Sequence, residues 1–291
     1  MLLVGIGQCG RGVIDALSAL YSDECSLFSV DREGTGADLE ISLEATGLHV
    51  DAETLLAQMH QEALRASLTP LARKGQVVLA LGSGAISGAS SCVLEVLAPC
   101  MPNVIYVRSE SLEFESEEFQ KMEAQLFMSL QLLAKNGILN ELFLVDNQKA
   151  ERLLTSEHLS HGYYPGLNLL IAGLYAECNY FRFARPVMGQ NRPVNGSANI
   201  VTMGVCDLQT FEEKSVFDLT LPRQKWYYFA VQSEKEIVER LGKIREHLRK
   251  EIGPCERKFA FFVDEKNTRN MGYVHQRCSL VQEIEKLNGE Q

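Results

Sequence analysis

The sequence predicts an α/β fold: a parallel sheet with helices on both faces, a long central helix and a smaller C-terminal α/β subdomain. Two observations predict this class. Short apolar strands alternate with amphipathic helices over the first half of the chain. Two glycine-rich turns each follow an apolar strand and precede a helix. Such turns lie at the carboxyl ends of strands, where parallel α/β sheets bind their ligands.

The elements of the first half follow from apolar runs and helical spacing. The expected strands are Leu2–Val4, Ser26–Val30, Val77–Leu81, Asn103–Val107 and Glu141–Val145. The expected helices are Gly12–Leu20, Glu53–Leu71, one beginning near Ser90, and Glu117–Ala134. These elements give a first domain over residues 1–165, and the apolar run Leu167–Tyr180 predicts a central helix over residues 166–182.

Residues 183–291 are predicted to form the C-terminal α/β subdomain. The segment Asn179–Ser197 is rich in Arg, Pro, Gly and Asn and is expected to form a long loop. The elements expected beyond it are the strands Ala198–Val205, Trp226–Val231 and Lys258–Val263 and the amphipathic helix Glu234–Ile252. The tail after Lys266 either packs on the body or projects as a contact arm.

Composition narrows the class of protein. The chain has 291 residues, 46% of them hydrophobic, and a net charge of −10, so nucleic acid is an unlikely partner. No apolar stretch reaches the roughly 18 residues that a membrane-spanning helix needs. The N-terminus shows no signal peptide. Its 8 cysteines are scattered without a C-x-x-C pair, which is typical of reduced thiols in a cytoplasmic protein.

The first turn has the pattern Gly5-x-Gly7-x-x-Gly10 after a short strand. Glycines let backbone N–H groups approach an anion, and the following helix adds its positive dipole end. The pattern is also the Rossmann fingerprint. Asp31, at the end of the next strand, stands where an acid would bind the ribose hydroxyls of NAD. In a purely structural alternative, the glycines serve only tight corners.

The second turn, Gly82-Ser-Gly-Ala-Ile-Ser-Gly88, follows another apolar strand. Two such turns in one Rossmann-like sheet suggest a polyphosphate held from both sides by backbone N–H groups. The dinucleotide fingerprint does not account for this second turn.

Five segments, in the correct order, resemble the tubulin/FtsZ superfamily. Gly7-Gln-Cys-Gly10 is similar to the GQCG turn of tubulins, and Gly82–Gly88 lies where the GGGTGSG motif is expected. Val30-Asp-Arg-Glu-Gly-Thr35, Val145-Asp-Asn147 and Tyr164-Pro-Gly-Leu-Asn168 resemble the magnesium-side loop and two guanine-contacting segments.

The resemblance implies GTP or GDP with Mg²⁺ as ligands and assigns three sets of residues. The phosphate-binding set is Gly7, Gln8, Cys9, Gly10, Gly82, Ser83, Gly84, Ala85, Ser87 and Gly88. Asp31 and Glu33 are the magnesium-associated acids. Asn147 and Asn168 would read the guanine edge, with Tyr164 stacked on the ring. The Gly10 backbone is expected to approach the phosphates closely.

Two departures from the superfamily pattern bear on catalysis. Ala85 replaces the threonine of the motif, and Ile86 stands where a positive φ would favour glycine. The resemblance implies that hydrolysis needs an acid delivered to a neighbouring subunit's nucleotide, yet Asn179–Asn199 contains no Asp or Glu. The catalytic residues are therefore unknown. Arg182, Arg185 and Arg192 are instead candidates to meet a neighbour's phosphates.

Three functions stay open from sequence. The first is a guanine-nucleotide-binding protein that self-associates through its nucleotide face into filaments and hydrolyses GTP weakly. The second is a non-polymerising relative that keeps the nucleotide as a switch. The third is an NAD-dependent oxidoreductase, against which no His/Asp or Tyr/Lys catalytic pair follows the fingerprint.

Overall fold

A computed structural model describes residues 1–21, 25–31, 39–42, 61–73, 75–109, 114–191, 199–250, 254–264 and 271–283. The strands are β1 (Leu2–Ile6), β2 (Ser26–Asp31), β3 (Leu39–Ser42), β4 (Val77–Gly82), β5 (Asn103–Arg108), β6 (Glu141–Asp146), β7 (Met188–Gly189), β8 (Ile200–Asp207), β9 (Glu213–Ser215), β10 (Gln224–Val231), β11 (Glu256–Val263) and β12 (Met271–Cys278). The α-helices are α1 (Gly7–Tyr21), α2 (Gln61–Ala72), α3 (Ser90–Leu97), α4 (Glu117–Lys135), α5 (Asn147–Glu151), α6 (Ser156–Leu159), α7 (Tyr163–Phe183) and α8 (Glu234–Lys250).

The first half of the sheet is parallel, in the order β3-β2-β1-β4-β5-β6. Its central strands are apolar throughout: β1 and β4 are buried at every position. Such strands need cover on both faces. Helices α1 and α7 pack on one face, around Leu3 and Val78, and α2, α3 and α4 pack on the other, around Leu2 and Leu79.

The long helix α7 runs from the carboxyl edge of this sheet to its amino edge. Its start lies beside α1, where Asn168 contacts Gly12. Farther along, the Tyr175 hydroxyl accepts hydrogen bonds from Asn103 Nδ2 at 2.8 Å and Gln76 Nε2 at 3.0 Å. Asn103 begins β5 and Gln76 precedes β4, so α7 joins the two edges of the sheet.

The second half continues the same sheet with mixed strand directions. Strand β8 pairs in parallel with β6 through Leu142↔Ile200 and Phe143↔Val201. Strand β12 then lies between β8 and β10, antiparallel to both, and β10 pairs in parallel with β11. Helix α8 covers this part through Ile237 and Ile244.

The predicted fold class is confirmed, with differences in detail. Helix α7 and strand β7 occupy part of the expected loop Asn179–Ser197. The described part of the expected helix Glu53–Leu71 is α2, and its beginning lies outside the described residues. Strands β3, β7, β9 and β12 were not predicted. The domain boundaries at 165 and 182 stay predictions.

The described part of the tail after Lys266, residues 271–283, packs on the body. Beyond β12, Gln282 and Gln131 of α4 form two hydrogen bonds: Gln282 N–H donates to Gln131 Oε1 at 2.6 Å, and Gln131 Nε2 donates to Gln282 O at 3.1 Å. Both residues are buried. Within the described ranges, no helix is long and apolar enough to cross a membrane.

Candidate functional site

The carboxyl edge of the parallel strands brings the predicted phosphate residues together. Strand β1 ends at Ile6 beside Leu81 of β4, so both glycine turns leave the sheet at the same level. Asp31 ends β2 on one side of them. Asp146 ends β6 on the other side and lies opposite Arg108 of β5.

The first turn passes directly from β1 into α1 at Gly7, which has a φ of +67°. This left-handed conformation favours glycine and lets the chain reverse without a linker. Gly10 has a packing role in addition to the phosphate contact predicted for its backbone. A Cβ atom there would lie 2.8 Å from the Ala80 carbonyl carbon. The close approach at Gly10 is therefore between α1 and β4, and a larger residue would disrupt packing before it affected a ligand.

The second turn begins with extended backbone and continues as a 3-10 turn. Gly84 has φ −71° and ψ 167°, and the 3-10 turn spans Ala85–Ala89. Ser87 stabilises the turn twice: its hydroxyl donates to Gly82 O at 2.5 Å and its N–H donates to Gly84 O at 2.9 Å. Contact between the Ser87 N–H and a phosphate would therefore require this 3-10 turn to open.

Ile86 and Ser83 explain how the second turn is fixed to the body. Ile86 is buried in the core on the α3 side and is not among the described non-glycine residues with positive φ. The strain expected at Ile86 is absent. Ser83 Oγ accepts a hydrogen bond from the Ser109 N–H at 3.1 Å, which joins the turn to the segment after β5.

The two turns touch each other. A Cβ atom at Gly82 would lie 2.9 Å from Cys9 Cβ and 3.2 Å from Cys9 Sγ. Because Cys9 lies in the first turn of α1, glycine at position 82 lets this helix seat directly against the second turn. The two turns that carry the predicted phosphate residues therefore pack directly against each other at Cys9 and Gly82.

The predicted base-contacting residues lie at the starts of α5 and α7. Asn147 begins α5, which is capped by Asp146 Oδ1 accepting from the Lys149 N–H at 3.2 Å. Asn168 lies half-buried against Gly12, whose Cβ would be 2.9 Å from Asn168 Cγ. Tyr164, one turn earlier on α7, is 62% exposed, and its ring makes an edge contact with Tyr163 at a centroid distance of 5.1 Å.

The magnesium-associated acids are only partly described. Asp31 is buried at the end of β2, one strand away from the first turn. Glu33 lies outside the described residues, so the geometry of the pair stays a prediction. Carboxylates at this edge fit a hydrated Mg²⁺, which is held through few protein ligands.

A charged cluster beneath the second turn was missed by the sequence analysis. Tyr106 OH donates to Glu123 Oε1 at 2.5 Å, and Arg108 Nε lies 3.7 Å from the same oxygen. Burial raises the pKa of the Glu123 carboxyl, against the lowering effects of Tyr106 and Arg108. Burial also raises the pKa of Tyr106. Glu123 lies on a different element from Arg108, and no local sequence pattern links the two.

The three arginines expected to face a neighbour have different environments. Arg182 is buried, with Nη1 3.3 Å from Glu141 Oε2, so its proposed role at a neighbour's phosphates is wrong. Arg185 is exposed in a groove at the amino edge together with Tyr180, Phe183 and Val187. Arg192 lies outside the described residues.

Comparisons with known proteins agree with this architecture. No protein-family model and no curated protein matches the chain. Among solved structures, the chain is similar to "CetZ2 from Haloferax volcanii - GTPgS bound protofilament", with a TM-score of 0.67 at 14% identity, covering 95% of this chain and 92% of that one. It is also similar to "FtsZ dimer, empty (M. jannaschii)", with a TM-score of 0.63 at 13% identity, covering 97% of this chain and 88% of that one.

A third similar structure is a CetZ from Methanosaeta thermophila, with a TM-score of 0.62 at 12% identity, covering 96% of this chain and 86% of that one. These matches extend over almost the whole length of both chains in each pair. The chain therefore has the tubulin/FtsZ-like fold, as the five sequence segments predicted.

Proposed function

We propose that this chain is a tubulin/FtsZ-like protein that binds GTP or GDP with Mg²⁺ at the carboxyl edge of its parallel sheet. The observation that carries the proposal is the contact between the two glycine turns, where Cys9 lies against Gly82. Backbone N–H groups at the start of α1, with the second turn packed beside them, suit a polyphosphate better than a single phosphate.

Base recognition by Asn147, Asn168 and Tyr164 completes this proposal. Guanine presents a carbonyl acceptor beside N–H donors, and an amide side chain complements both. The exposed ring of Tyr164 is available for stacking on the base. The half-buried amide of Asn168 lies against α1, so base and phosphate contacts would share one helix.

The dinucleotide alternative is less well supported. The strand order β3-β2-β1-β4-β5-β6 is common to both alternatives and does not separate them. The long α7 and the mixed second half of the sheet, by contrast, match FtsZ and CetZ structures over nearly the whole chain.

We further propose head-to-tail self-association in the cytoplasm. The proposed nucleotide site lies at the carboxyl edge of the sheet, and the groove beside Tyr180 and Phe183 lies at the amino edge. Contact between the site of one copy and the groove of the next would therefore repeat along one direction. The titles of the similar structures name a dimer and a protofilament. The described residues that line this groove include the exposed aromatics Tyr180 and Phe183 and no carboxylate, which favours association with weak hydrolysis.

Thermal unfolding with GTP, GDP, ATP and NAD at matched concentrations tests nucleotide choice. A ligand at 100 times its Kd stabilises the folded state by about 2.7 kcal/mol. We expect Tm to rise with GTP and GDP in the presence of Mg²⁺. A rise in Tm with NAD alone would instead support the NAD-dependent oxidoreductase.

Phosphate release and light scattering across a range of protein concentrations test whether the chain self-associates and hydrolyses GTP weakly. Slow release with GTP-dependent scattering is the expected result. Slow release without scattering would favour a non-polymerising relative. Fast release that rises with protein concentration would mean that an unidentified acid reaches the nucleotide.

A further inference from the structure

We propose that Gly12 is a positioning residue for base recognition: because it has no side chain, the Asn168 amide can lie against α1 in the orientation that reads guanine. This inference rests on the proposed guanine-nucleotide function and goes beyond it. It assigns selectivity to a residue outside the five segments that resemble the superfamily.

The contact is tight and specific to the end of one side chain. A Cβ atom at Gly12 would overlap Asn168 Nδ2 and lie 2.9 Å from Asn168 Cγ, whereas Asn168 Oδ1 would be 3.5 Å away. All three of these atoms belong to one amide group. A methyl group at position 12 would therefore conflict with the amide of Asn168 and not with the backbone of α7.

Neither helix can move away to relieve this conflict. On α1, Val13 and Ile14 follow Gly12 and are buried against the sheet. On α7, Leu167 and Ile171 flank Asn168 and are buried in the same core cluster. Since close-packed cores resist such shifts, the Asn168 side chain is the part that would rotate.

The orientation has a chemical consequence. With Nδ2 turned toward α1, Oδ1 faces away from Gly12 and can accept hydrogen bonds. Guanine offers two donors on its Watson–Crick edge, N1–H and the 2-amino group. Hypoxanthine keeps only N1–H, and adenine has an acceptor at N1. Correct positioning of Asn168 therefore favours GTP over ITP and ITP over ATP.

A glycine within a helix also requires a compensating advantage, because alanine is the better helix former. Gly173 offers the matched comparison: it is a helical glycine on α7 itself, and a Cβ atom there would meet nothing within 4 Å. Gly12→Ala and Gly173→Ala make the same chemical change, but only the first touches Asn168.

The experiment measures binding of GTPγS, ITP and ATP by calorimetry for wild type, Gly12→Ala, Asn168→Ala, the double variant and Gly173→Ala. We expect Gly12→Ala to lose about tenfold in GTPγS affinity, with little change for ATP, and to lose the preference for guanine over hypoxanthine. The double variant should match Asn168→Ala alone, and Gly173→Ala should match wild type.

Three results would overturn the inference. These are wild-type selectivity in Gly12→Ala, an equal loss for all three nucleotides, or losses that add in the double variant. If Gly12→Ala unfolds while the double variant folds, the conflict lies with Asn168, and the inference then requires that Asn168→Ala lose the preference for guanine over hypoxanthine; if both unfold, it fails. Absence of guanine-nucleotide binding in wild type would reject the proposed function first, and the inference with it.

Discussion

The two ends of helix α7 differ in how firmly they are held. At its start, Tyr164 is exposed and Asn168 presents a half-buried amide beside the glycine turns. At its end, Arg182 is buried and paired with Glu141 of β6, which also lies 3.6 Å from Arg277 of β12. One end offers groups to a ligand, whereas the other fixes the helix to both halves of the sheet.

The difference shows how one helix can serve two purposes. At its start, the exposed Tyr164 and the half-buried Asn168 lie at the edge where the ligand is proposed to bind. At the other end, the buried charge of Arg182 is balanced within the protein by Glu141, because a buried guanidinium is tolerated only beside a carboxylate. Around that anchor, Tyr180 and Phe183 still project apolar surface from the amino edge.

The largest effect is expected from breaking the anchored end. Glu141→Ala would leave Arg182 and Arg277 buried without this carboxylate, and the loss of a partner from a buried ion pair costs about 3–5 kcal/mol. Urea unfolding followed by circular dichroism measures the change, with the exposed Glu157→Ala as control. A loss below about 1 kcal/mol would mean that the cluster does not anchor α7.

The start of the helix should respond in ligand binding rather than in stability. Asn168→Ala is expected to weaken GTP more than ATP by about 1–3 kcal/mol, because a buried guanine edge loses its partner. Calorimetry measures both nucleotides, with Asn136→Ala at the end of α4 as a control for loss of an exposed amide. Unchanged GTP affinity would contradict the base-reading role.

The apolar surface at the anchored end predicts a change in assembly. Phe183 is 62% exposed, and Phe183→Ala should weaken self-association about tenfold, an effect of about 1.4 kcal/mol. Sedimentation velocity with GTP measures it. Val238→Ala on α8 removes a comparably exposed apolar side chain, at 73%, and serves as the control. Equal self-association by the two variants would show that this edge is not part of the interface.

The smallest effect concerns Glu123, beneath the second glycine turn. Burial raises the pKa of this carboxyl, so the folded chain holds its proton more tightly than the unfolded chain. Its contribution to stability is full below the ordinary glutamate pKa and is lost as pH rises through the raised value. In Glu123→Gln, Tm should depend less on pH in the range between the ordinary glutamate pKa and the raised pKa of Glu123. A steeper profile in the variant would show that the ionised carboxylate is the stabilising form.

The sequence predicted most of the parallel half because β1, β4, β5 and β6 contain long apolar runs, whereas the short β3, with Glu40 and Ser42, has none. Strand β12 escaped prediction for a physical reason. Its His275 and Arg277 are buried because they lie beside Glu141, at 4.0 and 3.6 Å, and buried polar residues conceal the usual pattern of a core strand. The carboxylate that compensates for their burial, Glu141, belongs to β6, which is far away in the sequence.

The candidate site likewise combines features that are visible in the local sequence with contacts between distant elements that are not. The glycine turns and their neighbours were found from local spacing, and the structure brings them together at one edge. The Cys9–Gly82 and Asn168–Gly12 contacts were not predictable, since each depends on how two distant elements pack. Arg182 was misassigned because sequence alone does not distinguish an exposed arginine from one buried beside Glu141.

The position of β12 between β8 and β10 has a consequence for biosynthesis. A nascent chain emerging from the ribosome can complete β1 to β6 from residues already made. By contrast, β8 and β10 do not pair with each other and must wait until residues as far as Cys278 have emerged. Until then their edges are open to other chains. The second half of the sheet thus closes only after translation has reached β12, and stalled synthesis would leave one edge of β8 and one edge of β10 unpaired.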